Sequence, residues 1–252
     1  MTSLRITSGT TKMRNKMSKQ VLIDGDTFAY RAAFSCEDND VEDAVDKVDE
    51  LLEDSLNKVM WEVSDEDFQV FLTGKGNFRY DIATTHEYKG NRKDAEKPKH
   101  LQSVRQHMIE QWDAIVSEGE EADDLIGIWS TEYGPDCIVI SVDKDMMQLP
   151  CRHFNPNRRS FSKVSEVEGN RFFYSQILTG DRADNIIGLY GIGPKKAEKI
   201  LEDYEEEADM YEACLRSYGG EEDRVIENGK LLWLRRFEGQ IWEPPKCDSD
   251  QG

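Results

Sequence analysis

The sequence of 252 residues predicts an α/β protein with a mostly parallel central sheet and helices on both faces. Three observations carry this. Short apolar runs at Gln20–Ile23, Phe68–Leu72 and Cys137–Val142 each stop at a turn or a carboxylate, as buried strands do. Between them lie stretches with three- and four-residue apolar spacing, the period of amphipathic helices. Strands that alternate with helices, rather than with tight hairpins, build parallel sheets.

Residues 1–19 carry Arg5, Lys12, Arg14, Lys16 and Lys19, no acid and no apolar stretch. A disordered basic arm is expected there, not a secretory signal. The first strand breaks at Asp24–Gly25. Val41, Ala44, Val45, Val48, Leu51, Leu52, Leu56, Val59 and Met60 then mark a helix whose outer face is acidic. The second strand ends at the turn Thr73–Gly74–Lys75–Gly76. After a polar, basic stretch from Tyr88 to His100, the apolar residues from Leu101 to Val116 read as one helix. Ala122 to Trp129 reads as another, followed by the third strand. From Ile177 to Leu201 the pattern is helix, glycine turn, helix. Trp242 to Gly252 is polar, contains proline and is expected to fray. The expected division is a basic arm at 1–19, a catalytic α/β core at 20–175, a helical region at 176–240 and a flexible tail at 241–252.

Hydrophobic content of 38% supplies a packed core and argues against a disordered chain. No run of 18 apolar residues exists, so no membrane helix and no membrane partner are expected. Five scattered cysteines without a C-x-x-C pair suggest neither a disulfide framework nor a zinc site, and the default compartment is a reducing cytosol. The net charge of −19 is awkward for binding a polyanion. Its distribution is uneven. Glu37 to Asp67 holds 14 acids against two lysines, whereas Lys75 to Trp112 holds eight Lys and Arg against five acids. A local anion-binding surface therefore fits the sequence.

The chemistry is expected where acids end strands and open helices. Asp24 ends the first strand, and Asp143 and Asp145 follow the third; in open parallel sheets the ligand crevice lies outside these carboxyl ends. Glu121, Asp123 and Asp124 open a helix, where the dipole tolerates carboxylates. Asp181 and Asp184 share a face if their segment is helical. Each acid alone would more often be a cap or a surface charge. Together they suggest a magnesium site, because converging carboxylates repel until a cation neutralises them, and magnesium takes oxygen ligands.

Five motifs then appear in order. These are Leu22–Gly25 with Tyr30 and Arg31; Tyr88-Lys89-Gly90-Asn91-Arg92; Glu121-Ala122-Asp123-Asp124; Ser141-Val142-Asp143-Lys144-Asp145 with Gln148 and Leu149; and Thr179–Ile186 followed by Gly191–Ala197. Their arrangement resembles the bacteriophage 5′→3′ exonuclease and flap endonuclease family, related to the 5′-nuclease domain of bacterial DNA polymerase I. The resemblance implies a PIN-like 5′-nuclease fold with a helical arch over residues 80–117 and a helix–hairpin–helix. It implies two magnesium ions, with manganese as a substitute, and potassium at the hairpin. Asp24, Glu121 and Asp123 would hold the first metal and Asp123, Asp143, Asp145 and Asp184 the second, with Asp124 and Asp181 in support. Lys89 and Arg92 would act on the scissile phosphate. Arg31, Tyr88, Lys93, Gly191, Gly193, Lys195 and Lys196 would join them in binding DNA. Duplex ends, 5′ flaps and RNA–DNA primer junctions are the implied partners of a monomer, in the host cytoplasm if phage-encoded.

One position departs from the pattern. The family's Asp after the second strand aligns with Leu72 or Thr73. Asp26 is a candidate substitute if the chain stays extended past Asp24, and equally a candidate helix N-cap. Two other readings compete with a 5′ nuclease: a PIN-type endoribonuclease, which would lack the glycine hairpin, and a non-catalytic nucleic-acid-binding relative.

Overall fold

The computed structural model describes residues 21–60, 68–92 and 96–246. The basic arm, Lys93 and the last six residues lie outside that range. In chain order the elements are β1 (Val21–Asp24), α1 (Gly25–Ser35), α2 (Val41–Val59), β2 (Phe68–Lys75), α3 (Arg79–Ile82), α4 (Leu101–Gln111), β3 (Ile115–Glu118) and α5 (Ala122–Tyr133). They continue with β4 (Ile138–Ile140), β5 (Arg152–Asn155), β6 (Ser160–Lys163), α6 (Glu166–Thr179), β7 (Gly180–Asp181), β8 (Ile186–Ile187), α7 (Pro194–Leu201), α8 (Glu207–Ser217) and α9 (Glu222–Leu232).

Six strands form one sheet in the order β3-β2-β1-β4-β5-β6, parallel throughout except for the β5–β6 pair at one edge. The central strands are apolar along their length because helices cover both faces. Side-chain alternation divides them. Val21, Ile23, Val70, Leu72, Ile138 and Ile140 join α1, α2 and α4 in one cluster, while Leu22, Phe71 and Val139 meet Ala122 and Ile126 of α5 on the other side. The third cluster is built by α6 to α9 around Phe173, Tyr174, Ile177 and Leu201.

Gly25 allows the turn from β1 into α1. A Cβ there would stand 2.6 Å from the Phe71 carbonyl oxygen, so any side chain would push the start of α1 off β2. Asp24 is thereby fixed at once as the last residue of β1 and the N-cap of α1.

Three expectations change. The helix read from Leu101 to Val116 stops at Gln111; Asp113 adopts a left-handed conformation, φ 48°, and Ile115–Glu118 pairs with β2 as β3. The arch expected over 80–117 is absent among the described residues. Leu101, Val104 and Met108 of α4 are buried in the core against α1 and α2, so this helix covers the sheet. The tail expected to fray from 241 begins instead with an anchor: Trp242 is buried, packed against Phe173, Tyr174 and Tyr211.

Candidate active site

The carboxyl ends of β1, β2 and β4 and the N-terminus of α5 open into one cavity of about 920 Å³. Seven of the predicted carboxylates line it: Asp24, Glu121, Asp123, Asp143, Asp145, Asp181 and Asp184. Lys89 and Arg92 line it as well. The parallel topology brings the ends of β1 and β4, with Asp24 and Asp143, to one edge, where the start of α5 and the β7–β8 turn add Glu121, Asp123, Asp181 and Asp184.

Each acid is held by local structure. Asp24 is 4% exposed and accepts hydrogen bonds from the Thr27 hydroxyl at 2.6 Å and the Ser141 hydroxyl at 2.7 Å. Burial outweighs these bonds and pushes its pKa up to about 6. Asp123 is driven well above the carboxylate range by burial, then by the charges of Asp24, Asp143 and Glu121. Asp143 caps the 3₁₀ turn that follows β4, accepting from the Asp145 amide at 2.8 Å. Asp145 accepts from Gln176 Nε2 at 2.7 Å, and burial followed by the Asp143 charge lifts its pKa to about 7. Asp181 is tied to Lys144 Nζ at 2.6 Å and to the Ala183 amide at 2.7 Å.

The cations grip the rim. Lys89, at φ 54°, lies between acids: its ammonium bonds to Glu121 and stands 3.8 Å from Asp184. Burial works against its charge, yet Glu121 and Asp184 more than offset this and hold its pKa above the ordinary lysine value. Arg92 is half exposed and reaches Asp184 at 2.6 Å and the Ala183 carbonyl at 2.8 Å.

Two expected site residues have other work. Asp124 faces away from the cavity and is fully buried. It takes a two-pronged bond from Arg79, at 2.6 and 2.8 Å, and accepts from the Glu121 amide at 3.2 Å and the Arg235 amide at 3.2 Å. With its oxygens spent this way it is a strut under α5, not a metal ligand. Tyr88, expected on DNA, is only 2% exposed; its hydroxyl lies 3.1 Å from Glu121 and 2.8 Å from Asp184. Burial, then these two acids, keep that phenol neutral.

Asp26 is neither the cap nor a free ligand. The chain turns helical at Gly25, so the alternation argument ends there, and Asp24 takes the cap. Asp26 bonds instead to the Thr73 amide at 2.8 Å and to Arg105, whose guanidinium also reaches the Thr73 carbonyl. Thr73, at the position of the missing acid, accepts from the Ala122 amide at 3.1 Å. Arg105, Lys144, Lys97 and Lys99 line the cavity without having been given a role from the sequence. The basic stretch from Lys75 to Trp112 was the available signal for three of them.

Outside the cavity, Arg31 is exposed on α1 and bonds to Asn157 at 2.8 Å. Gly191, at φ 75°, and Gly193, the N-cap of α7, form an exposed turn with Lys195 and Lys196. The Lys196 ammonium sits 2.8 Å from the Gly191 carbonyl oxygen.

The donor set is all oxygen and crowded, which suits a hard divalent cation. Among the described residues no three acids, imidazoles or thiolates close on a single point as a ready-made shell. A lined cavity of this kind fits a cation that keeps several of its waters, as magnesium does.

No helix among the described residues is long and apolar enough to cross a membrane. A family model described as 5′–3′ exonuclease, N-terminal resolvase-like domain, matches residues 19–173. Flap endonuclease Xni of Vibrio campbellii is 31% identical over 183 residues, 66% of this chain and 68% of that protein. DNA polymerase I of Rhizobium leguminosarum is 34% identical over 106 residues, 36% of this chain. The chain spans 10% of that polymerase and 56% of the Xni of Shewanella sediminis. Among solved structures, bacteriophage T5 5′-exonuclease with bound zinc superposes with a TM-score of 0.63 at 19% identity, over 85% of this chain and 89% of that one. That likeness shows the shared fold. The family match over most of the chain and the Vibrio relative, joined to the convergent acids, establish that this chain belongs to the 5′→3′ exonuclease family.

Proposed function

We propose that the chain is a divalent-metal-dependent 5′→3′ exonuclease and structure-specific flap endonuclease that hydrolyses DNA at duplex 5′ ends, flaps and primer junctions. The observation that carries this reading is the cavity that seven of the expected carboxylates share with Lys89 and Arg92. Magnesium, or manganese in its place, would be held by Asp24, Glu121 and Asp123 on one side and by Asp123, Asp143, Asp145 and Asp184 on the other, with Asp181 behind. Two such ions supply activation of a water and neutralisation of the attacking and leaving oxygens.

The chain's own residues do the rest. Lys89 places an ammonium where phosphate charge grows, and Arg92 presents a planar fork at the rim. Each gives up part of its hold on Glu121 and Asp184 as the phosphate arrives. Tyr88 keeps those two carboxylates oriented from beneath. The turn at Gly191–Lys196 offers backbone amides and Lys195 to a duplex phosphate. Potassium there would compete with the Lys196 ammonium for the Gly191 carbonyl. A monomer acting in the cytoplasm completes the reading.

Incubation with 5′-labelled duplex and flap DNA tests it. Short labelled products are expected with magnesium and none with EDTA. Intact DNA in both overturns the reading.

A further inference from the structure

The cavity has a second half. Besides the carboxylates, it is lined by Lys75, Lys97, Lys99 and Arg105 and by the apolar Ile109 and Val116. The two lysines are held in place by their neighbours. Pro98 and His100 are buried, the His100 ring bonds to the Asn39 carbonyl at 2.9 Å, and the Lys99 amide donates to the Glu37 carboxylate at 3.1 Å. Burying Pro98 and His100 leaves Lys97 and Lys99 on the open side, where both line the cavity. Arg105 is engaged by Asp26 and Thr73, whereas Lys97 and Lys99 have no carboxylate partner among the described residues.

We propose that this group of cations binds the 5′-terminal phosphate of the strand being cut. The inference rests on the nuclease reading above. A terminal phosphate monoester carries about −1.5 to −2 charge at pH 7, more than the single charge of an internal diester. Two unpaired ammoniums beside a fixed guanidinium match that difference. Ile109 and Val116 offer an apolar floor to the terminal sugar or base. Metals held by the carboxylates would neutralise the acidic side, and the lysines would take the terminal phosphate.

The test compares kcat/KM on blunt duplexes with a 5′-phosphate and with a 5′-hydroxyl. The wild-type protein is expected to prefer the phosphate about tenfold, with the ratio falling close to one in Lys97→Ala/Lys99→Ala. A ratio near one in the wild type, or a preference kept by the variant, overturns the proposal. A Lys97→Gln/Lys99→Gln variant with an unchanged melting temperature guards against misfolding. The second measurement needs no cleavage. Calorimetric titration with thymidine 5′-monophosphate, against thymidine, is expected to give affinity that weakens about tenfold in the double variant. Equal affinity in both proteins overturns the phosphate site. If no DNA is cut the nuclease reading falls, and this titration still decides whether the lysines bind phosphate.

Discussion

The outer face of α2 and the active-site cavity are both rich in acids, but they treat charge in opposite ways. On α2, Glu42, Asp46, Glu50 and Glu53 are exposed, and water hydrates each one. In the cavity Asp24 is buried and Asp123 half-buried, and desolvation raises both pKa values, helped by the Asp26 charge at Asp24 and by Asp24, Asp143 and Glu121 at Asp123. The net charge of −19 sums these two populations as if they were alike. Only the second is strained, and strain of this sort is relieved by a cation. An acidic protein can therefore present a site for a polyanion, provided metals and the rim cations reverse the local sign.

The largest effect expected from this contrast is on catalysis. Asp143→Ala and Asp145→Ala should each reduce cleavage to the level seen in EDTA, with the circular dichroism spectrum preserved. Both acids lie in the 3₁₀ turn that follows β4, Asp143 as its cap, and both line the cavity. Wild-type cleavage by either variant in magnesium would contradict their assignment.

Asp124 next to Asp123 sharpens the comparison, because adjacent acids fall in different classes. Arg79→Met leaves the buried Asp124 carboxylate unpaired and should cost about 3–5 kcal/mol in a urea titration. Arg79→Met/Asp124→Leu removes both charges and should recover most of that loss. A double variant as unstable as the single one would show that the pair is not the strut described here. Lys89→Ala and Arg92→Ala should come next, lowering the single-turnover rate about 10²–10³-fold with a smaller change in DNA affinity. A fall in affinity alone would make them tethers.

Most of the site's frame was legible in the sequence, for physical reasons. Buried central strands must be apolar and must end at the crevice, so Asp24, Asp143 and Asp145 could be placed from their neighbours alone. β3 was hidden because Ile115 and Val116 continue the helical spacing of α4, and only the backbone turn at Asp113 separates them. Strands β5 and β6 carry polar edge residues such as Arg152, Ser160 and Lys163, which give no apolar run. Asp124 and Tyr88 were misassigned because their partners lie 45 and 96 residues away, in Arg79 and Asp184. Motif position put these residues at the site, but only the fold shows which way a side chain turns.

A pH series without metal probes the strained population directly. The unfolded carboxylates titrate near pH 4, whereas Asp24 and Asp145 in the folded protein titrate near 6 and 7. The folded state thus holds protons that the unfolded state has lost, so stability falls as pH rises from about 4 to 7. The melting temperature in EDTA should drop across that window, and Asp123→Asn should flatten the drop by removing an acid whose own pKa is raised by burial and its acidic neighbours. A flat profile in the wild-type protein would mean the acids are not crowded in solution.

The smallest effect is expected on α2, and it completes the comparison. Asp46→Asn and Glu53→Gln each remove one negative charge, the same change in net charge as Asp123→Asn. Both side chains are exposed on a helix whose buried face is Ala44, Val48, Leu52 and Leu56. Surface substitutions of this kind shift stability by no more than about 0.5 kcal/mol. The remaining effect is long-range and screened, since the Debye length is about 8 Å at physiological salt. Both variants should therefore match the wild-type protein in EDTA melting profile and in the magnesium concentration giving half-maximal cleavage. If they instead reproduced the shift seen with Asp123→Asn, total charge rather than burial would govern the protein, and the distinction between the two acidic regions would collapse.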